Sequence, residues 1–349
     1  MKFLSICDPS LYKQPPLDVP TFYQHMSRDP RIEFHHIPVA NVFAAAQTLP
    51  MINVAPSSGE LSYEAFVKLG DRATTTISLS DIDLVFCRTL KPFPTGYLDQ
   101  LSTWEQWTRF VNRPSSKVEQ MKSDFLLKVA REFIPDALIT ADVEEAQAFF
   151  ETHHTIVAKQ DNSCGGRGVY KISYSDRSFH VDNVLVGDRT FDSFPDVMAY
   201  LQAHPSEALQ FYRYLNRVGA GDKRVVVVEG EIYGSYLRRS KSGHWVNNVS
   251  ADGECTLVDI SIEERDAIAQ TVGHYQAMGL HTLGYDFLMD DDGTWRISEI
   301  NAGNIGGFAR LELLTGQPVM DRFIGWLIDF SNRPNPVNSL QSAPVSFVS

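Results

Sequence analysis

The chain has 349 residues, and its 31 lysines and arginines against 43 aspartates and glutamates give a formal net charge of −12. A chain of this length predicts two or three domains rather than one small core. The acidic balance argues against a general surface for nucleic acid or for anionic membranes, although one local basic site for a small anion is compatible with it. No apolar run reaches about eighteen residues, so no membrane span is predicted.

The N-terminus and the cysteines both favour a cytoplasmic protein. The opening apolar run is only a few residues long and ends at Asp8-Pro9, which is typical of a buried first strand rather than of a signal peptide. The cysteines, at positions 7, 87, 164 and 255, lie far apart and match no zinc-binding or redox spacing. Reduced cysteines in a cytosolic enzyme are therefore expected.

Residues 1–114 alternate short apolar runs with helical patterns. The runs predict buried strands at residues 3–7, 34–37 and 84–87. Residues 55–60 are small and polar and contain Pro56 and Gly59, so a loop is predicted there. This rhythm is typical of an open parallel α/β domain, and Pro114 marks its end.

Residues 115–205 are predicted to form a second domain. Apolar residues at helical spacing favour a helix over 118–129, and Asp142 with Glu145 three residues later indicates the start of another. Strands are predicted at 155–159 and 169–172, on either side of a glycine-rich loop. The polar stretch 174–195 is predicted to be irregular.

Residues 206–331 are predicted to form a third domain. Strands are expected at 209–215, 224–229 and 231–238, and again at 282–289 and 295–300 around an Asp-Asp-Asp-Gly turn. Ser261 and Glu264 indicate the start of a helix, and a last amphipathic helix is expected at 318–330. The proline-containing tail, 332–349, is predicted to be loose.

The first set of chemically informative residues surrounds the glycine-rich loop. A strand ends at Lys159, and Gly165, Gly166 and Gly168 follow with Arg167 among them. Glycines let backbone N–H groups approach phosphate oxygens closely, and a lysine adds a positive charge. The spacing matches neither a P-loop nor a dinucleotide-binding fingerprint. An ordinary glycine hairpin remains the alternative for this segment alone.

The second set is Asp286, Glu299 and Asn301 on two neighbouring predicted strands. Strand alternation places Glu299 and Asn301 on one face, and pairing across the hairpin brings Asp286 to that face. Two carboxylates and an amide oxygen are hard ligands that suit Mg²⁺ bound to nucleotide phosphates. The alternative is a solvated hairpin with incidental acids, although Ile297 and Ile300 indicate a packed strand.

Taken in order, these segments resemble the ATP-grasp superfamily. The Lys159 strand and glycine loop come first, then an arginine-bearing strand at 221–225 (Gly-Asp-Lys-Arg-Val), then Asp286 and the Glu-Ile-Asn sequence ending at Asn301. The chain is most similar to bacterial glutathione synthetases and to RimK-type ligases. The resemblance implies an N-terminal open parallel α/β domain followed by a two-subdomain ATP-grasp fold of α+β character.

The resemblance also implies a role for individual residues on the nucleotide side. ATP contacts are expected from Lys122, Lys159, Gly165, Gly166, Gly168, Tyr212, Tyr214, Leu215 and Asp222. In the family pattern, residues 212–215 are the hinge whose backbone meets the adenine, and Asp222 lies near the ribose. Catalytic roles fall to Arg224, Arg239 (with Arg238 as the alternative) and Asn248. Two Mg²⁺ ions, or Mn²⁺ in their place, are expected on Asp286, Glu299 and Asn301.

The substrate side departs from the relatives more than the nucleotide side does. Substrate contacts are expected from Arg88, Asn304, Gly306, Gly307 and Arg310. Val246 stands where relatives commonly have an arginine, and the glycine-rich segment 302–307 replaces a Thr-Ser-Pro type sequence. Glycines in that segment predict a wider or more flexible pocket.

The expected function is therefore an ATP-dependent, ADP-forming carboxylate–amine ligase that acts through an acyl-phosphate on a small amino acid or peptide. One alternative is a RimK-like or peptide-maturase ligase that modifies a peptide or protein. Another is a non-catalytic ATP-binding regulatory protein. Small carboxylate and amine substrates are the expected partners, without nucleic acid or membrane, and the family likeness suggests a homodimer or homotetramer.

Overall fold

The computed structural model describes residues 1–12, 18–44, 51–72, 74–160, 167–204, 207–240, 244–246 and 254–334. Its contacts group the chain into two compact units. The first unit comprises Met1–Lys117, Met278–Thr282 and Ala302–Ser349. The second comprises Val118–Ala277 and Leu283–Asn301. The segment after Asn301 therefore belongs with the N-terminal residues, although the sequence-based boundaries placed it with 206–331.

The first unit is built on one six-stranded sheet. Its strands are β1 (Lys2–Ile6), β2 (Glu33–Ile37), β3 (Met51–Ser57), β4 (Thr75–Ser78), β5 (Leu84–Cys87) and β6 (Phe110–Val111), in the order β4-β3-β2-β1-β5-β6. Strands β2, β1, β5 and β6 are parallel to one another, and β3 and β4 add an antiparallel edge. The predicted open α/β sheet is confirmed.

Helices cover this sheet because its central strands are apolar on both faces. Phe3, Leu4 and Ile6 of β1 are fully buried, as are Val85 and Phe86 of β5. The helices of the N-terminal segment are α1 (Asp18–Arg28), α2 (Val39–Val42), α3 (Tyr63–Val67), α4 (Tyr97–Trp104) and α5 (Pro114–Gln120), which runs past Lys117.

The second unit contains two antiparallel sheets. The first has β7 (Ala137–Thr140), β8 (Ile156–Lys159), β9 (Val169–Ser175), β10 (Ser178–Asn183), β11 (Gly187–Phe191) and β12 (Leu209–Arg213), in the order β11-β10-β9-β8-β12-β7. Helices α6 (Phe125–Ala130), α7 (Val143–His153) and α8 (Phe194–Leu201) belong to this unit.

The other sheet has β13 (Asp222–Val228), β14 (Glu231–Arg239), β15 (Glu254–Leu257), β16 (Thr282–Met289) and β17 (Trp295–Asn301), in the order β15-β14-β13-β16-β17. Helix α9 (Ile262–Ala277) precedes β16. Two further helices, α10 (Phe308–Thr315) and α11 (Val319–Ser331), belong to the first unit.

Both predicted helix starts are confirmed by their hydrogen bonds. The Asp142 carboxylate accepts from the backbone N–H groups of Glu144 and Glu145, each at 2.9 Å. At α9 the backbone N–H of Glu264 donates to Ser261 Oγ at 3.2 Å, and the Ser261 N–H donates back to the Glu264 carboxylate at 2.8 Å. Local polar spacing alone identified these two sites.

Four sequence-based expectations are corrected. Residues 55–57 belong to β3 rather than to a loop, since Pro56 lies opposite His35 in the pairing with β2. Residues 174–195 are not irregular, because β10 and β11 form a hairpin on the sheet edge. The helix predicted over 118–129 is two helices, α5 and α6. Helix α10 was not predicted, because the glycines at 303–307 drew attention to a wide or flexible pocket rather than to a helix start. The predicted loose tail lies outside the described residues from 335 onward.

No helix in the described ranges is both long and apolar enough to cross a membrane.

Candidate functional site

A carboxylate held between two arginines lies at the centre of the second unit. Asp286 on β16 is 2% exposed. Its Oδ1 accepts from Arg224 Nε at 2.6 Å and from Arg238 Nη2 at 2.7 Å, and its Oδ2 accepts from Arg224 Nη2 at 2.8 Å. Burial by itself would raise the pKa of Asp286, but the two guanidinium groups outweigh it and lower that pKa below its usual value.

Sheet register explains why these side chains meet. Arg224 lies on β13, the strand between β14 and β16, and Arg238 lies on β14 directly opposite Asp222. Gly284 on β16 leaves room for the Arg224 guanidinium, because a Cβ there would lie 3.1 Å from Arg224 Nη1. A larger residue at position 284 would therefore displace the arginine from Asp286.

A bulge in the β16–β17 hairpin sets the face of the predicted metal ligands. Asp286 lies opposite Glu299, but the next residue, Phe287, lies opposite Ile297, so Ser298 is extra. Strict alternation would put Ile297 on the same face as Glu299. Because of the bulge, Ile297 and Ile300 are both buried, at 0% and 2% exposed, whereas Glu299 is exposed. The predicted pairing of Asp286 with the Glu299 strand is present, but the bulge was not predicted.

Lys159, which lies on the other sheet of this unit, contacts the backbone of the bulge. Lys159 is the last residue of β8, and its Nζ donates to the Ser298 carbonyl at 2.9 Å. The ammonium group lies 4.6 Å from the centroid of the Tyr212 ring. Burial lowers the pKa of Lys159, while the carboxylates of Glu299 and Asp286 act to raise it. The lysine of the glycine-loop strand and the acids of the hairpin thus form one site.

Asp222 and Arg238 each have one polar atom that forms no hydrogen bond within the described residues. Arg238 Nη2 donates to Asp222 Oδ2 at 2.6 Å. Asp222 Oδ1 and Arg238 Nε are buried and have no hydrogen-bond partner among the described residues. Burial raises the pKa of Asp222 to about 6, although Arg238 opposes the shift. Orphaned buried polar atoms are costly, so a polar ligand is expected to complete this edge of the site.

The donor set fits a hard cation bound together with an anion. Asn301 Nδ2 donates to Asp286 Oδ2 at 3.1 Å, so the amide lies beside the carboxylate. Among the described residues, no three acidic, histidine or cysteine side chains converge as a complete metal site. The cluster instead balances its own charge, with cations on Lys159, Arg224 and Arg238 against carboxylates on Asp222, Asp286 and Glu299. A triphosphate added here would bring uncompensated negative charge, which a divalent ion on oxygen ligands would offset.

The sequence and fold comparisons agree on one family. The model of the prokaryotic glutathione synthetase ATP-grasp domain matches residues 125–316, more than half of the chain. The chain belongs to this family. It is therefore an ATP-grasp ligase, an enzyme that forms a C–N bond and releases ADP.

Full-length relatives show the same likeness at low identity. The glutathione synthetase of Prochlorococcus marinus strain MIT 9313 is 24% identical over 332 residues, which cover 94% of this chain and 99% of that one. The ATP-grasp ligase PsnB, solved with its minimal precursor, Mg and ADP, is 17% identical with a TM-score of 0.56, covering 95% of this chain and 98% of its own. A Chryseobacterium gregarium RiPP-associated ATP-grasp ligase is 15% identical with a TM-score of 0.60, covering 96% and 98%. At these identities the two structures show the shared fold.

The predicted hinge, residues 212–215, covers the end of β12 and the two residues after it. Tyr212 and Leu215 are buried, at 6% and 5% exposed. The Tyr214 N–H donates to the Thr155 carbonyl at 3.1 Å. Lys171 Nζ lies 4.6 Å from the centroid of the Tyr214 ring, and the Trp245 ring meets the same side chain edge-on at 6.2 Å. The sequence did not predict a role for these two neighbours of the hinge.

Other predicted nucleotide-side residues lie elsewhere. Lys122 is exposed and pairs with Glu119 at 2.5 Å. Of the two arginines proposed for one role, Arg238 contacts Asp286, whereas Arg239 is exposed and donates to the Ala220 carbonyl at 3.0 Å. Gly168 is buried at the start of β9, and Gly165, Gly166 and Asn248 lie outside the described residues.

The predicted substrate residues of the first unit surround the segment after Asn301. Arg88 is 1% exposed, and its Nη1 donates to the Ile305 carbonyl at 2.9 Å. Its guanidinium stacks 4.9 Å from the centroid of the Phe86 ring, and burial lowers its pKa. Asn304 Nδ2 donates to the Arg88 carbonyl at 3.0 Å and to Tyr12 Oη at 2.8 Å. Arg310 is partly buried on α10.

Asp18 fixes the glycines of the same segment. Its Oδ2 accepts from the Gly307 N–H at 2.8 Å and its Oδ1 from the Ala309 N–H at 3.0 Å, so it caps α10. A Cβ at Gly306 would lie 3.1 Å from Asp18 Oδ2. The glycines that predicted a wide or flexible pocket therefore let the chain pass close to a carboxylate. Nothing in the sequence spacing links Asp18 to residues 306–309, and only the fold brings them together.

Proposed function

We propose that the ligase activates the carboxylate of a small amino acid or peptide with ATP and joins it to an amine. The observation that carries this proposal is the self-balanced cluster around Asp286, with Lys159 and Glu299 at its side. In this cluster every positive side chain is already balanced by a carboxylate. A triphosphate would add unbalanced negative charge, so it binds here only together with divalent ions. That combination is the ligand set expected for ATP with two Mg²⁺ ions, or with Mn²⁺ in their place.

Each charged residue has a distinct task in this proposal. Lys159 and Arg238 stabilise negative charge on the phosphates during transfer, since preorganised cations act most strongly where water is excluded. Arg224 keeps Asp286 ionised and oriented. Asp286, Glu299 and Asn301 would hold the ions, which neutralise phosphate charge when bound. Asp222 accepts a hydrogen bond from a ligand hydroxyl through its unfilled Oδ1, consistent with the predicted ribose contact.

An acyl-phosphate provides the chemical reason for the ATP requirement. A carboxylate is a poor electrophile because its leaving group would be oxide. Transfer of the γ-phosphoryl group to the carboxylate oxygen releases ADP and creates a good leaving group. The amine then attacks the carbonyl carbon, phosphate departs and the amide forms. No protein nucleophile is required, so positioning and charge stabilisation supply the catalysis.

A peptide- or protein-modifying ligase is the second candidate, and Val246 favours it. Val246 is 8% exposed, so this position contributes an apolar surface where the glutathione synthetases commonly have an arginine. The solved neighbours named above include ligases in complex with a precursor or with leader and core peptides. A different acyl donor from that of the synthetases is therefore compatible with this region.

A substrate screen tests the proposal. Purified enzyme is incubated with ATP, Mg²⁺ and pairs drawn from amino acids and short peptides, and ADP and phosphate are measured. ADP release that requires both a carboxylate and an amine, with one amide formed per ADP, is the expected result. Release that ignores both substrates would contradict it. Labelled amine recovered in protein rather than in a small product would favour the second candidate.

A further inference from the structure

Two carboxylates in the turn between β16 and β17 bind the end of β12 and the residues that follow it. The Asn216 backbone N–H donates to Asp291 Oδ1 and the Asn216 Nδ2 donates to Asp291 Oδ2, both at 2.9 Å. Within the predicted hinge, residues 212–215, Arg213 Nη2 donates to both oxygens of Asp290, at 3.1 and 3.0 Å. The same turn thus holds the hinge at Arg213 and directly after its last residue.

These hydrogen bonds all involve an ionised carboxylate, which makes them strong. Asp290 is 4% exposed and also accepts from Arg296 Nε at 3.1 Å, so its charge is buried between two guanidinium groups. Hydrogen bonds between ionised groups are roughly twice as strong as those between neutral groups. The backbone bond to Asn216 fixes the main chain itself rather than only a side chain.

The turn does not need the Asp291 carboxylate for its own geometry. Asp292 closes the turn by accepting from the Thr294 N–H at 2.8 Å and from Thr294 Oγ1 at 2.7 Å, and Asp290 Oδ1 accepts from the Asp291 N–H at 2.7 Å. Gly293 supplies the positive φ of 93° that the turn requires. Within the described part of the chain, the Asp291 carboxylate accepts hydrogen bonds only from Asn216, outside the turn, and its Oδ2 lies 3.7 Å from Arg213 Nη1. Asp291 therefore acts on the hinge, whereas Asp290 serves both the turn and Arg213.

We infer that Arg213 and Asn216 are positioning residues that lock the nucleobase-binding hinge to the ion-binding hairpin. The inference rests on the proposed function, with the backbone of the hinge, residues 212–215, expected to meet the adenine of ATP. The turn continues directly into β17, which carries Glu299 and Asn301. The contacts of Arg213 and Asn216 with the turn therefore fix the distance between the base end and the phosphate end of a bound nucleotide.

The test compares ligands with and without a base. In Asp291→Ala, which removes both hydrogen bonds to Asn216, the Kd of Mg-ATP rises about tenfold, which corresponds to about 1.4 kcal/mol. In Asn216→Ala the backbone N–H still donates to Asp291, so the Kd rises less, about threefold. Inhibition by inorganic tripolyphosphate stays as in the unsubstituted enzyme, because that ligand meets only the phosphate end. The double variant is no weaker than Asp291→Ala, since the aspartate change has already removed the contacts that Asn216 makes with it. At saturating ATP, kcat stays within about twofold.

Asp292→Asn is the matched control, because it removes a carboxylate charge from the same turn while its amide oxygen can still accept from Thr294, and its ATP affinity stays unchanged. Equal loss of ATP and tripolyphosphate binding in Asp291→Ala would show a general structural effect and overturn the inference. An unchanged Kd for ATP in Asp291→Ala, or the same loss in Asp292→Asn, would also overturn it. Failure of the unsubstituted enzyme to bind ATP would overturn the proposed function and, with it, this inference.

Discussion

Two buried arginines, one in each unit, show how differently the two regions use charge. Arg224 in the second unit donates two hydrogen bonds to the Asp286 carboxylate. Arg88 in the first unit donates to the Ile305 backbone carbonyl, and within the described ranges no carboxylate lies within 4.0 Å of it. The second unit pairs side-chain charges to form a site, whereas the first unit uses polar side chains to hold its own backbone.

This difference teaches where sequence motifs are informative. A charge that binds a ligand or another charge is constrained in residue type, so its motif persists across relatives. A side chain that binds backbone can be exchanged for another donor or acceptor at modest cost. This is a physical reason to expect family motifs on the nucleotide side and departures around residues 302–310.

The largest expected effect is on the nucleotide side. Glu299→Gln removes one charge of the proposed ion site from an exposed position, so the fold should persist while turnover falls on the order of a thousandfold, equivalent to about 4 kcal/mol of barrier. Steady-state ADP release measures it. Glu263→Gln, an exposed change at the start of α9, is the control and should keep full activity. Full activity in Glu299→Gln would remove the basis for the ion assignment.

A smaller effect is expected on the substrate side. Asp18→Ala removes the two hydrogen bonds that cap α10, which should lower the free energy of unfolding by about 1–2 kcal/mol. Urea denaturation measures the change. Asp99→Ala, at the exposed first turn of α4, should shift stability by less than about 0.5 kcal/mol. If the two variants were equally stable, the Asp18 contacts would not hold the 306–309 segment.

The smallest effect concerns pH, and it tests whether burial raises the pKa of Asp222. Its pKa rises from the usual 3.8 to about 6 on folding, so the folded state holds the proton more tightly. Stability from this group is therefore present below the unfolded pKa and is lost as the pH rises through about 6. In Asp222→Asn this loss disappears.

Urea midpoints at about pH 4 and about pH 6.5 measure the difference. Between these values, the unsubstituted enzyme should lose stability relative to Asp222→Asn. The lowered pKa of Asp286 acts in the opposite direction, but it contributes to both proteins and largely cancels in the comparison. Parallel pH profiles for the two proteins would show that Asp222 does not titrate in this range.

Much of the second unit follows from local signals. The caps at Asp142 and Ser261, the turn at residues 290–293 and the strand endings at Lys159 depend on residues within a few positions of one another. The hairpin of β10 and β11 was missed because β11 is mostly exposed and both strands are mostly polar, so they carry little apolar alternation. The bulge at Ser298 was missed because inserting one residue into a ladder leaves no mark in a single sequence.

The sequence by itself determined the class of enzyme and most of the strands that carry the predicted site, and it predicted the nucleotide-side residues from their chemistry. Only the tertiary structure decided that Arg238 rather than Arg239 reaches Asp286, that Asp18 binds residues 307 and 309, and that the hinge is braced by Asp290 and Asp291. The physical reason is that residue type limits which chemistry a position can perform. Contacts between distant segments, by contrast, depend on register and bulges that form only when the sheets assemble.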